Sequence, residues 1–376
     1  MPNRAPDVVG LFTELAGIPS PPGSEREVAD RVRAYLDGLG LEVAEDDAGA
    51  RIGANAGNLF CRLEPTSENG GLPIFLCAHL DTVQPTGPLE PVVEDGVVRN
   101  AGGTILGADN KAAVAAMLEA ARLILSENRP HAGIELVFTP KEEVGLQGAK
   151  AFDADRLRGR VGFVFDHAAP IGEVMLGAPH ARSIEVTMRG RAAHAGMAPE
   201  EGRSAIVAAA RAIADLRLGR LDDETTASVG LIQGGTARNI VPDRCAFSID
   251  VRSHNETKLA ELVKELLETI TFGAAFEQCE AETTIDESYT GYRFQRGDLP
   301  VRLACAALER EGFQPRLAFG GGGADANVFN ERGRPCVNLA NGMAAIHTPD
   351  EYIAVADLER MVDVTLALVD VARDGA

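Results

Sequence analysis

Five side chains of the kind that hold divalent metal ions follow short apolar runs or open a helical stretch. His79 follows Leu72-Pro-Ile-Phe-Leu-Cys-Ala78, and Glu143 follows Ile134-Glu-Leu-Val-Phe138 by way of Thr-Pro-Lys-Glu142. Asp166 follows Val161-Gly-Phe-Val-Phe165, and His347 lies a short loop beyond Cys336-Val-Asn-Leu-Ala340. Asp109 stands in Gly107-Ala-Asp-Asn-Lys111, just ahead of an Ala- and Leu-rich stretch. Imidazole and carboxylate are zinc ligands, and a catalytic zinc keeps one position open for water. Five such ligands hold two ions if one carboxylate bridges them. Asp109 suits the bridge, because the small residues before it allow a close approach. Asp81, two residues past His79, is placed to hold the other ring nitrogen and fix the tautomer. Glu142, next to a ligand, is then free to act as a general base. Singly these signals are weak, since a histidine after a strand is usually structural and adjacent glutamates usually form a solvated face. Their combination is specific.

The runs that carry these residues are short and rich in branched and aromatic side chains, which reads as buried strands. In open α/β sheets, sites form at the carboxyl ends of strands, where these residues fall. Between the runs, Ser24-Glu-Arg-Glu27 has capping-box spacing and predicts a helix running toward Leu39 and stopped near Gly40. Asn110 to Leu125 and Asp357 to Val371 also read as helices. From about Pro179 to Glu287 the pattern changes. Strands are expected at Arg182 to Arg189, Ala227 to Ile232, Cys245 to Val251 and Ala275 to Ile285, with helices at Ser204 to Leu216 and Asn255 to Thr269. That βαββαβ order makes a complete small unit. The expectation is an α/β catalytic domain with a mostly parallel sheet, formed by residues 1–178 and 288–376, with an inserted second domain at 179–287.

Length and composition agree with two domains: 376 residues, 45% hydrophobic and 24% charged. Against 56 acidic residues stand 36 basic ones, a formal charge of −20, which disfavours nucleic acid and anionic membranes as partners. Met1 to Gly10, with Pro2, Arg4, Pro6 and Asp7, has no apolar signal core, and no run is long enough to span a bilayer. Six cysteines without C-x-x-C spacing read as buried free thiols in a reduced, cytoplasmic setting. Phe319-Gly-Gly-Gly-Gly-Ala-Asp325 lacks the pattern of a phosphate loop. His167, on the opposite side of its strand from Asp166, is rejected as a ligand. His131, His180 and His254 are expected at the surface or a domain junction.

His79-Leu-Asp-Thr-Val83, Leu106-Gly-Ala-Asp-Asn-Lys111, Thr139-Pro-Lys-Glu-Glu-Val-Gly145 and Ile346-His347-Thr348 resemble the dizinc metallopeptidases around peptidase T. Carboxypeptidase G, acetylornithine deacetylase and succinyl-diaminopimelate desuccinylase are relatives within that family. The resemblance covers nearly the whole chain, and its Gly-Ala-Asp-Asn-Lys form is nearer to peptidase T than to the deacylases. It implies one Zn2+ on His79, Asp109 and Asp166 and a second on Asp109, Glu143 and His347, with Co2+ or Mn2+ as possible substitutes. It further implies Glu142 as base and Asp81 as support. The inserted domain becomes a lid and homodimerisation module. Within that module, His194, in Gly190-Arg-Ala-Ala-His-Ala-Gly196, would stabilise the oxyanion. Arg252 would bind the substrate carboxylate, and Asn239 would face the substrate. The implied activity is removal of the N-terminal residue from short peptides. An N-acyl amino acid deacylase or carboxypeptidase-like amidohydrolase shares every metal residue, and a non-catalytic metal-stabilised binding protein is a third reading. Peptidase T carries His-Pro-Gly where this chain has His194-Ala-Gly196, and the sequence after Asp166 also departs, which bears on substrate and not on metal.

Overall fold

The computed structural model describes residues 8–66 and 71–375; Pro2, Arg4, Pro6 and Asp7 lie outside them. The chain separates into two units. One runs to Gly177 and takes in Arg293–Gly320 and the chain from Ala324 onward; the other is Ala178–Tyr292 with Gly321–Gly323.

In the first unit the four apolar runs become strands Ile74–His79, Ile134–Thr139, Val161–His167 and Cys336–Ala340. They lie side by side in the order 134–139, 74–79, 161–167, 336–340, all parallel. Strands Val43–Glu45 and Leu59–Leu63 extend one side antiparallel, and Glu173–Ala178 extends the other. Buried on both faces, the central strands need no polar alternation, which is why they read as continuous apolar runs. All six residues of Ile74–His79 and of Ile134–Thr139 are buried. The helix Ala108–Ser126 is nearly engulfed, and its Ala112, Ala113, Ala115 and Ala116 let neighbouring elements approach closely. Helix Val355–Asp374 packs beside it. Parallel pairing sets the carboxyl ends of all four strands at one edge of the sheet, the position of a ligand site in this class of fold.

The capping box expected at Ser24–Glu27 does not form. The helix spans Arg26–Gly38 with Glu25 at its N-cap and no side-chain cap. Glu25 instead turns its Oε1 to the amides of Gly23 at 2.6 Å and Lys141 at 3.2 Å.

The second unit is a five-stranded antiparallel sheet ordered Gly219–Arg220, Thr225–Gly234, Arg244–Ser253, His180–Arg189, Glu280–Tyr289. Alternation in Arg244–Ser253 buries Cys245, Phe247, Ile249 and Val251 beneath helices Ala205–Asp215 and Glu256–Phe276. The last strand begins at Glu280 and not near Ala275, because the helix continues to Phe276. Its buried face persists through Leu266, Ile270 and Gly273, where an added Cβ would lie only 2.9 Å from that of Ala212 on the neighbouring helix. Among the described residues no helix is long and apolar enough to cross a membrane.

Candidate active site

His79, Asp109, Glu143, Asp166 and His347 converge at the carboxyl edge of the parallel sheet. His79 ends its strand 2% exposed, with Nε2 at 3.1 Å from Asp109 Oδ1 and 3.6 Å from Asp166 Oδ1. His347 Nε2 lies 3.2 Å from the other Asp109 oxygen, Oδ2, and 3.0 Å from Glu143 Oε1. One carboxylate therefore addresses both histidines, one oxygen each. Two donor sets are compact: His79 with Glu142 and Asp166, and His79 with Asp109 and Glu143, each with its atoms within 4.8 Å of one another.

Backbone holds these groups in place. Asp109 stands in a non-helical turn (φ −82°, ψ 103°) ahead of the regular helix, two residues after Gly107, whose φ of 76° lies in the left-handed region. The Asn338 side chain brackets Asp166, accepting from its amide at 2.9 Å and donating to its carbonyl at 3.0 Å. His347 itself has φ 63°, turning the chain within its loop.

Asp81 departs from expectation. His79 Nδ1 is nearest the Asp81 main-chain carbonyl at 2.9 Å, while the carboxylate stands 3.5 Å away. That carboxylate accepts instead from the amides of Glu142 at 2.9 Å and Glu143 at 3.1 Å. Asp81 thus shapes the two-glutamate turn, and its carbonyl orients the histidine. With Glu25 on Lys141, two buried acids accept from three consecutive amides of that turn.

Four carboxyls and two imidazoles meet here in little water, and an unpaired buried charge is costly. Burial and the neighbouring Asp109 charge push the Asp166 carboxyl up to about 8. Burial also drives Glu142 well above the carboxylate range. For His79 burial opposes the charged ring, but the hydrogen bond with Asp109 and the nearby carboxylates of Asp166 and Asp81 hold it well above its ordinary value. Hydrogen bonds with Asp109 and Glu143 push His347 up to about 10. Asp109 moves the other way: burial would raise it, but the two histidines hold it below the usual range. Oxygen and imidazole nitrogen donors this close together favour a proton or a cation among them. A divalent cation takes the place of such protons, so the donor set fits zinc or a similar ion.

Sequence reasoning missed several groups here. Asp325, closing the glycine run, is buried and accepts from Thr139 Oγ1 at 2.5 Å and Cys77 Sγ at 3.6 Å. Glu351, four residues past His347, is buried and accepts backbone amides of the Asp109 turn. Neither sits in a pattern that distinguishes it from a loop acid. His131, expected at a surface or junction, is 2% exposed, its Nδ1 accepting from the Gly133 amide at 3.3 Å. His167 Nε2 pairs with Glu173 at 3.3 Å. Five cysteines are buried, and Cys305 is half-buried against the core.

In the second unit His194 and Asn239 are neighbours in a short ribbon. His194 pairs with Ile240, and the Ala195 amide donates to the Asn239 carbonyl at 2.9 Å. His194 is exposed, with Nδ1 accepting from the amides of Gly196 and Met197, both at 3.2 Å. Arg252 is not a bare guanidinium: Nε and Nη2 meet the Asp250 carboxylate at 2.7 and 3.2 Å, and Nη1 donates to the Gly321 carbonyl at 3.1 Å.

The chain thus holds a parallel sheet with His, Asp and Glu donors at its carboxyl edge and a separate antiparallel unit with two helices, and the comparisons with known proteins define its class. The family described as Peptidase dimerisation domain matches residues 177–274, and that described as Peptidase family M28 matches residues 58–201. Aminopeptidase PepT from Bacillus cereus is 39% identical, covering 97% of this chain and 98% of its own, with a TM-score of 0.86. A tripeptidase from Staphylococcus aureus is 35% identical over the same shares, with a TM-score of 0.91. An uncharacterised Bacillus subtilis protein, YqjE, is 38% identical over 96% of this chain and 97% of its own length. The chain belongs to the peptidase T family of metallopeptidases.

Proposed function

We propose that this protein is a cytoplasmic two-zinc aminopeptidase that releases the N-terminal residue of short peptides, tripeptides foremost. The carrying observation is Asp109, whose two oxygens stand 3.1 and 3.2 Å from the Nε2 atoms of His79 and His347. In this reading His79, Asp109 and Asp166 would hold one ion, and Asp109, Glu143 and His347 would hold the other. When bound, the ions would lower the pKa of a water and polarise the scissile carbonyl. Glu142, its amide fixed by Asp81, takes the water proton and delivers it to the leaving amine. With His194 Nδ1 accepting two amides, the hydrogen of the neutral ring sits on Nε2, leaving a donor for the oxyanion. One such donor is worth about 3–4 kcal/mol in the transition state. Arg252 is assigned to the substrate carboxylate with Asp250 as the group that orients it, and Asn239 to the substrate-facing loop.

Support for a homodimer comes from the match to a peptidase dimerisation domain and from strand Thr225–Gly234, which the two-residue strand Gly219–Arg220 covers only at Thr226 and Ala227. Leu231 and Ile232 there are 72% and 56% exposed, beside a groove of about 700 Å³ lined by Ile213, Leu218 and Val229. Product analysis on tripeptides, dipeptides and N-acyl amino acids, with zinc or cobalt supplied, tests the activity. Release of the N-terminal residue from tripeptides supports the assignment, and a preference for N-acyl amino acids moves it to a deacylase.

A further inference from the structure

Glu351 is a buried carboxylate that takes no part in the chemistry above, yet it makes three directed contacts. Its Oε2 accepts from the amides of Leu106 at 2.8 Å and Gly107 at 2.9 Å, and its Oε1 from that of Asp109 at 3.1 Å. These amides belong to a turn ahead of the regular helix, since Asp109 and Asn110 are non-helical, and buried amides outside a helix or ladder must find another acceptor. Gly107, within the turn, has no side chain to offer them. The acceptor arrives from 242 residues away in the sequence. Glu351 also belongs to the segment that carries His347. Reciprocal hydrogen bonds between Ala344 and Tyr352, at 3.0 and 3.1 Å, close that segment. Its continuation, Tyr352–Ala354, pairs with Val97–Asn100. Behind the same turn, Lys111 is fully buried and donates to the Ile18 carbonyl.

We infer that Glu351 is a positioning residue for Asp109, fixing the backbone from which that carboxylate reaches His79 with one oxygen and His347 with the other. The inference rests on the reading of Asp109 as the shared ligand. One loop then sets two donors, His347 directly and Asp109 through three amides. Loss of Glu351 therefore loosens both ion sites together, whereas loss of a ligand private to one site, such as Asp166, weakens that site first.

The test is zinc competition between the holoenzyme and a chromophoric chelator, read for both sites in wild type, Asp109→Asn, Asp166→Asn, Glu351→Gln and Glu351→Asp. Removing a group that orients a metal ligand typically weakens binding about 10- to 100-fold. Glu351→Gln, with unchanged circular dichroism, is expected to lose that much at both sites, and Glu351→Asp, which keeps both oxygens, to lose less. Wild-type affinity in a folded Glu351→Gln overturns the inference. Two ions bound normally by Asp109→Asn would instead sink the bridging assignment beneath it. Should the Gln variant not fold, amide hydrogen exchange in the wild-type holoenzyme decides. Protection at Leu106, Gly107 and Asp109 supports the cradle, and exchange at open-loop rates rejects it.

Discussion

Glu142 and Glu143 are adjacent, share one clamp in Asp81, and are assigned opposite work. Geometry alone leaves both within reach of His79, so the division rests on what each removal does. Glu142→Gln keeps the shape but accepts no proton, and turnover should fall at least ~10²-fold with metal content nearly unchanged. Glu143→Gln should weaken the metal first. Metal analysis beside steady-state rates separates the two, and zinc loss from Glu142→Gln reverses the assignment. The protons held in the cluster give a second expectation. With His347 up at about 10 and Asp166 at about 8, both carry protons at neutral pH that a cation must displace. Zinc binding should release protons, and affinity should fall as pH is lowered. Calorimetry in buffers of different ionisation enthalpy reads this directly; buffer-independent heats would contradict it.

At the scale of elements, the strands are legible because they are buried on both faces, and the candidate ligands His79, Glu143 and Asp166 because they stand at or just past the ends of those apolar runs. Helix ends were less so. Ser24-Glu-Arg-Glu27 has the letters of a capping box, but the helix starts one place later, with Glu25 at the N-cap and its carboxylate on the amides of Gly23 and Lys141, the latter 116 residues distant. The helix Glu256–Phe276 outran its expected end for a similar reason, since Gly273 reads as a stop but serves as the place where two helices touch. Glu351, Asp325 and the true partner of Asp81 stayed hidden because their roles are contacts across the fold. Gly107 shows what such a turn demands: with φ 76°, an added Cβ would stand 3.1 Å from Thr82 Cγ2. Gly107→Ala should destabilise the protein by about 1–3 kcal/mol in chemical denaturation, and an unchanged midpoint would show that the turn relaxes freely.

For the molecule as a whole, the proposals concern assembly and substrate length. Replacing Leu231 with Asp puts a charge on an exposed apolar edge and should yield monomers in sedimentation at micromolar concentration, if wild type is a dimer through that edge. A monomeric wild type removes the claim. The Arg252–Asp250 pair sharpens the substrate question. Arg252→Ala should raise KM for a tripeptide with a free carboxylate far more than for its C-amidated form, while equal losses mean the guanidinium does not read that carboxylate. Asp250→Asn keeps the arginine but frees its charge, so it should alter KM much less than Arg252→Ala does.

The hydrogen bonds between Asp166 and Asn338 join residues 172 apart. A chain leaves the ribosome in order, so three of the four central strands emerge long before the fourth. Until Cys336–Ala340 is made, strand Val161–His167 has an uncovered edge, and such edges recruit other chains. The second unit is almost a single stretch, Ala178–Tyr292, and all its strands and helices exist before that gap closes. The second unit is therefore synthesised in full while the sheet of the first still lacks a strand. His347 comes later still, so on the proposed ligand assignment the second ion site is completed only in the final part of translation.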